Sequence, residues 1–97
     1  MALNIWLDDI RPAPSGCYVW VKSVNQAKRV IIAAEILGEE IFELNLDHDL
    51  GDYACDGGDG IKLVLWLAET GRHYFIKLHT MNPVGRENMQ AIIDRYW

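Results

Sequence analysis

Three short segments hold most of the residues able to do chemistry: Asp8-Asp9 with Arg11, Asp47-His48-Asp49, and His79-Thr80 with Asn82 and Arg86. Histidine titrates near neutral pH, so His48 and His79 form a candidate acid/base pair. Such a pair suits phosphoester hydrolysis, where water attacks phosphorus in line while the leaving oxygen takes up a proton. Arg11 and Arg86 are candidates to grip the nonbridging phosphate oxygens through bidentate contacts. Asp8, Asp9 and Asp47 form an all-oxygen set of the kind that takes Mg²⁺ or Mn²⁺. Carboxylates aimed into one pocket repel each other unless a cation joins them, which favours a metal-assisted version. There the ion polarises the phosphate and supplies hydroxide, and His48 or His79 protonates the leaving group.

Each residue also has an ordinary structural explanation. Asp8-Asp9 suits the end of a strand, and Arg11 suits a local pair with Asp9. His48 between two acids suits an exposed loop, and His79 suits a histidine satisfied by backbone. Asp52, Asp56 and Asp59 read as solvated loop and capping acids. Arg86 falls in the first turn of a helix, where a cation opposes the dipole, which points to an anion partner. Trp20 is a candidate to stack on a base. Asp47-x-Asp49 lacks the terminal glutamate of a calcium loop. What weighs against these readings together is convergence, which depends on the elements that carry the residues.

Asn4 to Asp8 reads as a buried strand ending in acid. Asp9 to Gly16, with Pro12 and Pro14, cannot be helical, because proline lacks the N–H and restricts the residue before it. Cys17 to Val21 alternates aromatic and β-branched residues and reads as a second strand. Ser23 with Gln26 matches a capping box. Val24, Ala27, Val30, Ile31, Ala34 and Leu37 then recur at helical spacing until Gly38. Ile41 to Leu46 is a strand that again ends in acid, at Asp47. After the Gly/Asp-rich stretch from Asp49 to Gly60, Ile61, Val64, Leu65 and Ala68 line a second helix closed by Gly71. Tyr74 to Leu78 is a fourth strand. Asn82-Pro83 starts a last helix with a stripe of Met89, Ile92, Ile93 and Tyr96, and its free N–H groups face an anion site. Buried strands alternating with helices imply a parallel α/β sheet with its ligand site at the strand carboxyl ends. All three polar segments fall there.

Ile5-Trp6-Leu7-Asp8-Asp9 is similar to the first strand and acidic pair of a receiver domain. Leu44-Asn45-Leu46-Asp47 resembles the strand bearing the phospho-accepting aspartate, and Asp59-Gly60-Ile61 resembles the start of the helix that follows. More specifically, Leu7-Asp8-Asp9-Ile10-Arg11-Pro12, Leu46-Asp47-His48-Asp49-Leu50-Gly51 and His79-Thr80-Met81-Asn82-Pro83-Val84-Gly85-Arg86 together resemble the cyclic-phosphate processing receiver domains. The resemblance covers nearly the whole chain. It implies a receiver-like, flavodoxin-like three-layer fold, shortened to about four parallel strands in one domain over residues 1–97. It also implies processing of cyclic phosphate in small nucleotides or RNA ends. His48, His79 and Asp47 would then be catalytic, Arg11, Thr80, Asn82 and Arg86 would bind substrate, and Asp8, Asp9 and Asp47 would hold Mg²⁺ or Mn²⁺. His79 or Thr80 stands at the receiver's switch position, and no lysine sits at a strand end to neutralise an aspartyl phosphate. The alternatives are a nucleotide- or phosphate-binding module without chemistry and a degenerate signalling receiver phosphorylated on Asp47.

Composition narrows the partners. The 97 residues carry a formal net charge of −5, which disfavours the broad basic surface that duplex DNA demands. Cys17 and Cys55 lack CxxC spacing, which speaks against a zinc or dithiol site. No leader is expected from the acidic N-terminal stretch, and no apolar run reaches membrane-spanning length, so the expectation is a cytoplasmic protein without membrane contact. A sheet one strand–helix unit short leaves an edge that a homodimer would cover.

Overall fold

The computed structural model describes residues 2–97. Its elements are β1 (Ala2–Leu7), β2 (Tyr18–Val21), α1 (Val24–Ile36), β3 (Glu40–Leu46), α2 (Gly60–Glu69), β4 (Ile76–Leu78) and α3 (Pro83–Tyr96), with a short 3-10 helix at Gly51–Cys55. The 3-10 helix lies inside the stretch read from sequence as loop. Ser23 caps α1 by accepting from the Gln26 N–H at 3.1 Å. The reciprocal bond is displaced by one residue, because Gln26 Oε1 accepts from Lys22 N at 2.9 Å rather than from Ser23. Asn82 caps α3 through Gly85 N, with Pro83 in the first turn where its missing N–H costs nothing.

All strand pairs are parallel and the order is β2-β1-β3-β4. A bulge interrupts the β1–β3 ladder, where Leu3 pairs with Ile41 and Asn4 with Glu43. Phe42 is the extra residue and is pushed outward. The bulge resets the alternation, which is why Ile41 and then Leu44 and Leu46 all face the core. From β2 to β3 and from β3 to β4 the chain steps the same way across the sheet. Right-handed crossovers therefore place α1 and α2 on one face, and α3 packs against α2. Ile5, Leu7, Val21, Leu44 and Leu46 meet Val24, Ile31, Leu63, Val64, Leu67 and Met89 there in one core.

The receiver-like α/β class and the four-stranded parallel sheet match expectation. Helices α1 and α2 cover one face of that sheet, and α3 packs on α2. Between β1 and β2 the prolines preclude a helix, so the opposite face is dressed by that loop and by side chains of the sheet itself. Trp6 anchors the loop by donating its indole N–H to the Arg11 carbonyl at 2.9 Å. Two stripe positions also differ. Leu37 is 73% and Tyr96 48% exposed, because each lies at a helix end, past the last turn that meets the sheet. No helix among the described residues is long and apolar enough to cross a membrane.

Candidate functional site

Register decides which side chains share the site. Leu7, Leu46 and Leu78 lie side by side and face the core. The next residue on each strand turns the other way, so Asp8, Asp47 and His79 emerge on the helix-free side. The row behind them on that side is Trp6, Asn45 and Lys77. One donor atom from each of Asp8, Asp47 and His79 lies within 4.8 Å of the others.

Asp8 is only 1% exposed. Its Oδ1 accepts from the backbone N–H groups of Ile10 at 2.9 Å and Arg11 at 2.8 Å. Its Oδ2 faces Arg11 Nε and His79 Nε2, each at 3.0 Å. Burial would raise the Asp8 pKa, but these donors and the Arg11 charge hold it below the ordinary carboxylate value. Arg11 therefore pairs with Asp8, and not with Asp9 as the local reading had it. Its Nη2 also reaches the His79 carbonyl at 3.3 Å and lies 3.8 Å from Asp47 Oδ2.

His79 stacks flat on Trp6, with ring centroids 3.8 Å apart and planes 3° from parallel. Its Nδ1 meets Asn45 Oδ1 at 2.7 Å, and Asn45 reaches on to Glu43 at 3.4 Å. Asp8 keeps a proton on Nε2, because a carboxylate accepts and does not donate. Burial lowers the His79 pKa against the raising pull of Asp8 and Asp47. Both ring nitrogens are thus held by protein groups. Asn45 was missed in the sequence reading; its signal was a lone amide inside the apolar strand Leu44-Asn45-Leu46.

Asp47 differs from Asp8. Its Oδ1 accepts from His48 N at 2.8 Å, while Oδ2 lies 3.8 Å from the Arg11 guanidinium. Burial raises its pKa, with the Asp8 charge adding to that and the Thr80 hydroxyl opposing it. Thr80 is itself buried and accepts from Asn82 N at 3.1 Å.

His48 lies one residue further along and so turns to the helix side. Its ring sits directly over Gly85 in the first turn of α3, where an added Cβ would come within 2.5 Å of its Cγ. Nδ1 meets Asp49 Oδ1 at 2.7 Å, and Asn82 Nδ2 donates to both Asp49 oxygens at 3.2 and 3.3 Å. Those bonds from His48 and Asn82 lower the Asp49 pKa. Nε2 of His48 has no partner among the described residues, which makes an aspartate-oriented imidazole with one free nitrogen. The orienting role of Asp49 was not foreseen. His48, Asp49 and Asp59 form a second group of nearby donor atoms, separate from the first. The two histidines therefore belong to different clusters on either side of the sheet's end. Gly60 brings the segments together, because its Cα lies against the Asp47 carbonyl and its N–H donates to the His48 carbonyl at 2.7 Å.

Arg86 is exposed and donates to the Leu78 carbonyl. Asp9 stands apart from both donor groups, with Oδ2 against Gly51. The fit to a divalent ion turns on Asp8. A carboxylate offers about four acceptor positions, and four N–H donors already point at Asp8. In this arrangement Asp8 has no position left for Mg²⁺ or Mn²⁺, and Arg11 already supplies the neighbouring positive charge. The residues as placed do not fit an ion held by Asp8, Asp9 and Asp47 together.

No curated protein and no solved structure matches the chain. A family model does match, described as the cyclic-phosphate processing receiver domain, over residues 3–95. With a parallel receiver-like sheet and its polar groups at the strand ends, the chain belongs to the family of cyclic-phosphate processing receiver domains.

Proposed function

We propose that this protein opens cyclic phosphate in small nucleotides or at RNA ends. The observation that carries the reading is Asp47. It is the buried strand-end carboxylate with one oxygen free of close N–H donors, its pKa is raised, and it lies between the Arg11 guanidinium and the backbone of His48. Arg11, whose side chain is 46% exposed, has an Nη1 edge with no partner among the described residues, placed to meet a nonbridging phosphate oxygen. The first turn of α3, capped by Asn82, adds a positive dipole end.

Water adds to phosphorus and gives a proton to His48 Nε2, which Asp49 holds in orientation. The bond from phosphorus to one ribose oxygen breaks, and that oxygen takes up a proton relayed through the Asp47 carboxyl, which burial pushes above the ordinary carboxylate value. His79 positions Asp8, and through it Arg11. Thr80 and Asn82 hold the loop that carries α3. The test is hydrolysis of 2′,3′-cyclic mononucleotides and of short RNA with a cyclic-phosphate end, read by product mass. Turnover is expected in the parent and a drop of about 100-fold or more in His48→Ala and in Asp47→Asn, with a smaller drop in Asp49→Asn. Full turnover in both of the first two variants would falsify the assignment.

A second reading has its own observation: His79 keeps no ring nitrogen free, as suits a binding module without turnover. Saturable thermal stabilisation by a cyclic nucleotide that is recovered unchanged is the result that reading requires. Phosphorylation of Asp47, the third reading, requires a mass adduct from acetyl phosphate that Asp47→Asn abolishes.

A further inference from the structure

We propose that Arg11 is the resident counter-ion of the Asp8–Asp47 pair, so that the site works without a divalent metal and becomes a metal site only when Arg11 is removed. This goes beyond the proposed reaction and holds whether the protein catalyses or only binds.

Two buried carboxylates at neighbouring strand ends need a positive charge between them. The loop after β1 supplies it. Asp8 accepts the backbone N–H groups of Ile10 and Arg11, which fixes the turn, and the turn returns the Arg11 side chain onto the carboxylate that formed it. The guanidinium then spans the pair, with Nε 3.0 Å from Asp8 Oδ2 and Nη2 3.8 Å from Asp47 Oδ2. Its Nη2 bond to the His79 carbonyl at 3.3 Å ties β4 into the same arrangement. The guanidinium is weakly hydrated and always charged, which suits it to a partly buried ion pair better than lysine. A hydrated divalent ion entering here would have to displace both Arg11 contacts from Asp8 Oδ2 and Asp47 Oδ2. Once the guanidinium is gone, Asp8 Oδ2 regains an acceptor position and Asp47 Oδ2 faces it with no cation near. These two oxygens are the start of an oxygen site for Mg²⁺ or Mn²⁺.

The experiment is a Mn²⁺ titration followed by the paramagnetic resonance of the free ion, with melting temperature measured in Mn²⁺, in Mg²⁺ and in chelator. The parent is expected to show no saturable Mn²⁺ binding up to about 1 mM and the same melting temperature in all three. Arg11→Ala is expected to melt lower in chelator and to gain saturable Mn²⁺ binding at least about tenfold tighter than any seen in the parent. Mn²⁺ should restore its melting temperature, and Arg11→Ala with Asp47→Asn should lose that rescue. Saturable Mn²⁺ binding by the parent that Asp8→Asn or Asp47→Asn removes would overturn the proposal. So would an Arg11→Ala protein that folds and gains no affinity. If Arg11→Ala does not fold, Arg11→Gln takes its place, and the parent titration decides by itself. None of these readouts uses turnover, so a failed hydrolysis assay and a failed counter-ion assignment are told apart.

Discussion

At the scale of single residues, two neighbouring carboxylates show opposite behaviour. Asp8 is held below the ordinary value by its four donors, and Asp47 is raised by burial with few donors to offset it. Their linkage to stability has opposite signs. The folded pKa of Asp8 lies below the ordinary 3.8, so its contribution is present above that pH and is lost as pH falls through the folded value. The folded pKa of Asp47 lies above 3.8, so the folded state loses stability as pH rises from there through the folded value. Asp47→Asn removes that loss while keeping an acceptor for His48 N. It is expected to melt higher than the parent at pH 7. The gain should shrink to nothing as pH falls to about 3.8. Melting curves across pH check this, and an equal gain at all pH values would contradict it.

At the scale of elements, α3 does more than close the core. Its first turn presents Gly85 to the His48 ring at a distance that a Cβ cannot share. Gly85→Ala is expected to push that ring off its bond with Asp49 and lower turnover by about tenfold or more, while the melting temperature moves by only a few degrees. Paired turnover and melting measurements separate this from simple unfolding, because a large melting loss with unchanged turnover per folded protein would contradict it. The helix was legible in the sequence from Asn82-Pro83 and from its apolar stripe. The role of Gly85 was not, since a glycine in a helical pattern says nothing about which ring lies over it. The 3-10 helix at Gly51–Cys55 was hidden for a related reason. Its residues are turn formers, and its position is set by Leu50 N bonding Asp59 at 3.1 Å and by the buried Leu50 side chain.

At the scale of the whole molecule, the sheet has a working end and a structural end. Opposite the strand carboxyl ends, Glu35 at the end of α1 receives Arg72 at 2.9 Å and the Tyr74 hydroxyl at 2.5 Å. Burial, together with the bond to ionised Glu35, pushes the Tyr74 pKa up to about 12. This latch ties α1 to the segment that leads into β4. Glu35→Ala is expected to cost about 1 kcal/mol of stability, since the pair is partly exposed and screened. It should leave turnover and ligand affinity unchanged, because the latch and the site lie at opposite ends of the strands. A urea titration beside the cyclic-phosphate assay checks both halves of that expectation. The helix-free face is the other property of the whole. It carries Trp6 stacked under His79, and a hydrogen-bonded row from Tyr18 through Glu43 and Asn45 to His79 and Asp8.

The sequence by itself determined the order of elements, the helix starts at Ser23 and Asn82, and the family. It also placed every polar segment at the strand carboxyl ends, because strand and helix periodicities and capping residues are local properties. Only the tertiary structure decided the partners. A one-residue difference in position sends His79 to the helix-free side onto Trp6 and His48 to the helix side onto Gly85. Arg11 settles on Asp8 rather than Asp9 because the turn after β1 is built on the Asp8 carboxylate. A strand's alternation is visible in its residues, but the neighbour that each face meets depends on register and on the hand of the crossovers. Those are fixed only when the whole sheet is assembled.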